Sequence, residues 1–125
     1  MDEIRILHIE DDAADAELIG LALARAGIHC EIQVVASRKE CIAALEEGGF
    51  DLVISDSHGP DFSALALLEA VRERLPEAPY VFLSGSYFDN DPEALKAEGA
   101  TECLLKEDLD GLVTLVQRIV RGEKR

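Results

Sequence analysis

The feature that most restricts how this chain folds is an alternation. Five short apolar runs rich in β-branched residues, IRILHI (4–9), CEIQVV (30–35), DLVIS (51–55), YVFLS (80–84) and CLL (103–105), are separated by longer stretches whose apolar residues recur every three or four positions. The short runs read as strands and the longer stretches as amphipathic helices, five of each. Strict alternation of the two with short connections specifies right-handed crossovers and a parallel sheet covered on both faces.

The helical stretches carry their own boundary signals. Leu18, Leu21, Ala22 and Arg25 belong to a helix that stops at Gly27, where a left-handed conformation is easily accepted. Ser37 and Glu40 form a capping-box pattern at the start of the second helix, and Gly48 with Gly49 closes it. Ser63 starts the third, whose Leu65, Leu68, Val71 and Leu75 make one stripe before Pro76. Asp91 followed by Pro92 opens the fourth, and Leu109, Leu112, Val113, Val116, Ile119 and Val120 line one face of the fifth. The expected fold is therefore α/β: one flavodoxin-like (βα)5 domain with a five-stranded parallel sheet in the order 2-1-3-4-5 and helices on both faces.

A chain of 125 residues suits one domain with one core system, and the expectation is a single domain over 1–125 with no output domain after RIVRGEKR. No apolar run approaches the roughly 18 residues that cross a bilayer, and Met1, Asp2 and Glu3 carry the wrong charge for a secretory leader, so a cytoplasmic, membrane-free location is expected. A net charge of −14 opposes direct nucleic-acid binding and favours protein partners or cations. Cys30, Cys41 and Cys103 are odd in number and lack a CxxC pair, which argues for small core residues over a disulfide framework or zinc site.

In a doubly wound sheet, ligands bind beyond the carboxyl ends of the strands, where strand order reverses. Here those are the ends of strands one and three, which present Glu10, Asp11 and Asp12, and Asp56. Carboxylates gathered in one pocket repel each other unless a cation intervenes. A hard divalent ion such as Mg2+ (or Mn2+) accepts oxygen ligands of this kind, and the expected set is Glu10, Asp11, Asp56 and the backbone carbonyl of His58. Lys106 closes the fifth strand and offers an ammonium to the same edge; Ser84 ends the fourth with a hydroxyl beside the small Gly85. A nucleophilic acid, a metal, a hydroxyl and an amine form the inventory for phosphoryl transfer to a carboxylate, with Asp56 as nucleophile.

ILHIEDD, LVISDSHGP, VFLSG and LLKE, in that order, resemble the signature of response-regulator receiver domains of two-component signalling, and the match spans essentially the whole chain. The resemblance implies that Asp56 is the phosphoacceptor, Glu10 and Asp11 the acid pair serving the metal, Ser84 the switch hydroxyl, and Lys106 the partner of the phosphoryl group. It also implies partners: a sensor histidine kinase or histidine phosphotransfer protein as donor, and a downstream protein that reads the changed surface. A receiver of this kind is a signalling domain that catalyses only its own phosphorylation and dephosphorylation, and the family's habits allow a homodimer. The chain departs from the family in three places. Glu107 stands where proline usually follows the lysine, which predicts a trans bond; Cys103 replaces the switch aromatic; Ala64 replaces a common glycine.

Each residue also has a plainer reading. Asp56 alone suits an Asx turn, Glu10 and Asp12 suit first-turn acids at a helix start, with Asp12 also suited to cap the first helix, and Ser84 suits a hydroxyl satisfying backbone groups. His8 reads as a hydrogen-bonded core or rim residue and His29 as a surface residue, whereas His58, two positions after Asp56, borders the expected phosphoryl site. Tyr87 and Phe88 read as packing on the fourth helix, with partner anchoring as the alternative. Among other functions, a haloacid-dehalogenase-like phosphatase needs a second aspartate where His58 stands. A flavin module needs hydroxyls and N–H groups where Glu10, Asp11 and Asp12 stand. A receiver-fold interaction scaffold with altered or phosphorylation-independent switching is kept open by Glu107 and Cys103.

Overall fold

The computed structural model describes residues 4–56, 58–59, 62–84 and 101–122, with side chains at 4–55, 66–83 and 101–122. Its main strands are β1 (Ile4–Ile9), β2 (Cys30–Val35), β3 (Leu52–Asp56), β4 (Tyr80–Ser84) and β5 (Glu102–Leu105). Every adjacent pair is parallel, in the order β2-β1-β3-β4-β5, which is the topology expected from the alternation. The described helices are α1 (Ala13–Arg25), α2 (Arg38–Glu47), α3 (Ala64–Arg74) and α4 (Leu109–Val120). The helix expected to open at Asp91 and Pro92 lies outside the described residues, as do Gly85, Tyr87 and Phe88. After Asp56, His58–Gly59 and Phe62–Ser63 form a two-residue antiparallel ladder.

Strand periodicity sorts the core into two halves. On one face Ile6, Leu52, Ile54, Val81 and Leu83 pack against Ile19 and Leu23 of α1 and Leu112 and Val116 of α4. On the other, Leu7, Ile9, Val53, Tyr80 and Phe82 pack against Cys41, Ala44 and Leu45 of α2 and Leu67, Leu68 and Val71 of α3. Both faces of the central strands are thus dry, which is why those strands read as nearly continuous apolar runs. Inside the second half, the buried Tyr80 hydroxyl and Ser55 side chain hydrogen-bond to each other. Cys41 is fully buried, while Cys30 and Cys103 are half-buried, and none of the three forms a disulfide among the described residues.

Local signals fix where the elements begin and end. Asp12 caps α1 by accepting the N–H groups of Ala14 and Asp15 at 2.9 and 3.2 Å, and Gly27 follows the helix at φ +78. At α2, Ser37 Oγ accepts the Glu40 N–H at 3.1 Å, but the Glu40 carboxylate reaches back to Ala36 N–H at 2.7 Å, one residue before the cap. It is a capping box displaced by one position. Ser37→Ala should lower stability by about 1 kcal/mol, read as a shift in the urea midpoint at unchanged slope.

Register between β1 and β3 is pinned at their amino ends. The Asp51 N–H donates to the Arg5 carbonyl at 2.7 Å, and the Arg5 N–H donates to Asp51 Oδ2 at 2.9 Å. The Arg5 guanidinium lies 4.6 Å from the centroid of the Phe50 ring and bonds the Gly48 carbonyl at 3.1 Å. This clamp sets where β3 starts, and so sets which residue reaches its other end.

Candidate functional site

The register carries each strand to a common carboxyl edge. Ile9 pairs with Ser55, so Glu10 follows at the level of Asp56; Asp56 pairs with Leu83, and Ser84 with Leu105, so Lys106 comes one residue beyond. β1 lies between β2 and β3, the point at which chain order reverses. The residues expected from sequence at the ends of these four strands therefore do reach one edge of the sheet.

Glu10 is only 3% exposed despite its charge. A buried carboxylate needs partners, and Asp12 and Lys106 supply them. Oε2 accepts the Asp12 N–H at 3.2 Å, and Oε1 lies 3.5 Å from the Lys106 ammonium. Lys106 has a nearer partner in Asp15, whose Oδ2 is 3.0 Å from Nζ. Thus one ammonium joins the end of β5 to the end of β1 and to the first turn of α1. Asp11 is exposed beside this cluster. Behind the ion pairs, Leu18, Ile19, Leu83 and Leu109 complete a small cavity of about 50 Å3 with Glu10, Asp15 and Lys106.

Sequence reasoning missed Asp15. It is a first-turn acid at the third position of α1, where acids are favoured by the helix dipole without further reason. The only signal available was its phase, which turns it toward the strand ends while Asp12, three residues earlier, serves the helix backbone. Asp12 is accordingly a cap, as its plainer reading had it.

His8 needs a correction. The sequence suggested a hydrogen-bonded core or rim residue; it is fully buried, and neither ring nitrogen has a hydrogen-bond partner among the described residues. It lies two residues before Glu10 on the same strand. Burial, reinforced by the nearby Lys106 charge and opposed by Asp15, lowers its pKa from 6.5 to about 4, so at neutral pH the ring is uncharged. His29 is exposed, as expected.

The side chains of Asp56, His58, Ser84 and Ala64 lie outside the described residues, while their backbones occupy the strand, ladder and helix positions given above. Among the described residues no group of three His, Cys, Asp or Glu side chains is placed to hold a metal. Of the acids at this edge, Glu10 and Asp11 offer oxygen donors of the kind a hard divalent ion accepts. The Lys106–Glu107 bond is trans, in keeping with the absence of proline. Cys103 packs partly buried against the α2/α3 half of the core.

A doubly wound sheet with acids and a lysine brought together beyond its carboxyl ends is the arrangement expected of a receiver domain. The chain belongs to the response regulator receiver domain family, whose sequence profile matches residues 6–117. It is 29% identical over 113 residues to the DNA-binding transcriptional regulator NtrC of Salmonella typhimurium, a match covering 90% of this chain and 24% of that protein. The chain thus spans about a quarter of the length of that relative. Among solved structures it resembles a CheY-like receiver domain from Methylobacillus flagellatus, with TM-score 0.80 and 28% identity over 94% of this chain and 99% of the other. It also resembles the response regulator TrrA of Thermotoga maritima, determined in complex with Mg(2+)-BeF, with TM-score 0.79 and 26% identity over 93% of this chain and 98% of the other. No helix among the described residues is long and apolar enough to cross a membrane.

Proposed function

We propose that this receiver domain accepts a phosphoryl group on Asp56 from a phosphohistidine of a sensor histidine kinase or phosphotransfer protein, and then presents an altered surface to a downstream protein. The observation that carries the reading is the buried Glu10 joined to Lys106 at the strand edge where the register brings Asp56. A carboxylate oxygen of Asp56 forms the new P–O bond as the P–N bond to the donor imidazole breaks, and the imidazole nitrogen takes up a proton. Lys106 donates to a phosphoryl oxygen, and the Ser84 hydroxyl donates to another and moves with it. Glu10 and Asp11, with Asp56 and the His58 carbonyl, would hold Mg2+ or Mn2+. Bound there, the ion supplies positive charge that offsets repulsion between the nucleophile and the phosphoryl oxygens. The net charge of −14 fits protein partners better than nucleic acid for this domain.

The reading makes the domain a catalyst of its own modification only. Incubated with Mg2+ and acetyl phosphate, the protein should gain the mass of one phosphoryl group, and EDTA should prevent the gain. No added mass in the presence of Mg2+ would overturn the proposal, and sustained turnover of p-nitrophenyl phosphate would reassign the site to a phosphatase. A second reading, a scaffold with an altered switch, draws on Cys103 standing half-buried where the family has an aromatic ring. Beryllofluoride should then shift amide resonances only around the strand edge, whereas a coupled switch shifts those of the fourth strand and beyond.

A further inference from the structure

We propose that Asp15 is a positioning residue that restrains Lys106 in the unphosphorylated protein and competes with the incoming phosphoryl group for it. The inference rests on the reading of Asp56 as phosphoacceptor. Its basis is the geometry of one shared ammonium. Asp15 Oδ2 stands 3.0 Å from Lys106 Nζ, closer than Glu10 Oε1 at 3.5 Å, across 91 positions of sequence. Asp15 is not a loosely held surface acid, because its own N–H donates to the Asp12 cap at 3.2 Å and the cap fixes the first turn of α1.

The two carboxylates differ in what they can give up. Glu10 has a side chain only 2% exposed and is also tied to the Asp12 N–H, so losing its cation would strand a buried charge. Asp15 is 44% exposed, and water can replace the lysine at its oxygens. A phosphoryl group on Asp56 brings up to about two negative charges to the same edge and draws on the same ammonium. Asp15 is therefore the partner that yields, and the interaction it loses opposes phosphorylation. Because Lys106 is 30% exposed the restraint is a screened one, on the scale of about fivefold in rate or affinity.

The test measures initial rates of phosphorylation by acetyl phosphate at saturating Mg2+ and subsaturating donor, with the folded fraction checked by urea titration. Asp15→Asn should react about fivefold faster than wild type, and Asp15→Glu, which keeps the carboxylate, should stay near the wild-type rate. In a Lys106→Met background Asp15→Asn should bring no acceleration, which separates action through the lysine from a general change of charge. Beryllofluoride affinity, followed by fluorine NMR, supplies the same comparison without chemistry, and Asp15→Asn should tighten it by a similar factor. An unchanged or slower Asp15→Asn protein, or an acceleration that persists without the lysine, overturns the proposal. Were wild type itself to take up no phosphoryl group, the Asp56 assignment would fall and this inference with it; normal wild-type uptake with no response to Asp15 removes this inference alone.

Discussion

Asp56→Asn is expected to reduce phosphoryl uptake to an undetectable level, with the fold intact. The amide has the size and shape of the carboxylate but no anionic oxygen to form the acyl phosphate bond, so intact mass after incubation with acetyl phosphate and Mg2+ should not change. Two acids near this edge are committed elsewhere: Glu10 is buried and engaged by Lys106 and the Asp12 N–H, and Asp12 is occupied as a helix cap. The same substitution removes one negative charge from an edge that already carries Glu10 and Asp11. Relief of like-charge repulsion should raise stability by up to about 1 kcal/mol in metal-free buffer, a gain that Mg2+ reduces in comparison with wild type. An Asp56→Asn protein that still gains a phosphoryl group would move the acceptor elsewhere and undo the assignment of the whole edge.

The second large effect is on stability and comes from His8. In the folded protein its pKa is lowered to about 4, whereas in the unfolded chain it titrates near 6.5. Above pH 6.5 the ring is neutral in both states and contributes no pH dependence. As pH falls from 6.5 toward 4 the unfolded chain binds a proton that the folded protein refuses, and stability drops by up to about 3 kcal/mol over that window. His8→Leu, of similar volume, should flatten this limb. At pH 7.5 it should also raise stability by about 1 kcal/mol or more, because it removes two ring nitrogens without partners among the described residues. Urea midpoints measured from pH 7.5 to 4 decide the matter. If the variant keeps the wild-type slope between pH 6.5 and 4, other groups carry the acid sensitivity and His8 is not the destabilising proton site.

Much of the architecture was legible because local and global requirements coincide. A strand such as LVIS, apolar on both faces, has no stable place except inside a covered parallel sheet, and β3 is found there with Val53 and Ile54 facing opposite halves of the core. Asp12, Ser37 and Gly27 act within one helical turn of their own positions, so their roles as caps could be read without knowing the tertiary fold. The gathering of Glu10 and Lys106 at one edge was also readable, since a residue that ends a parallel strand must emerge on the carboxyl side.

What the sequence did not reveal depends on the lateral packing of helices and strands. That Lys106 chooses Asp15 over a solvated position follows from how α1 is rotated against β5, a relation set by Ile19 and Leu23 packing beside Leu112 and Val116. That His8 is buried with no hydrogen-bond partner among the described residues follows from the same α1/α4 layer closing over a polar residue that strand periodicity alone could place but not surround. Composition, alternation and capping determined the class of fold, the strand order and the edge at which chemistry gathers, because those depend on short-range geometry and on which faces must be dry. Only the tertiary structure decided which carboxylate shares the lysine and which ring is held neutral, because contacts across 91 positions and the loss of water around a single side chain arise from the packed whole.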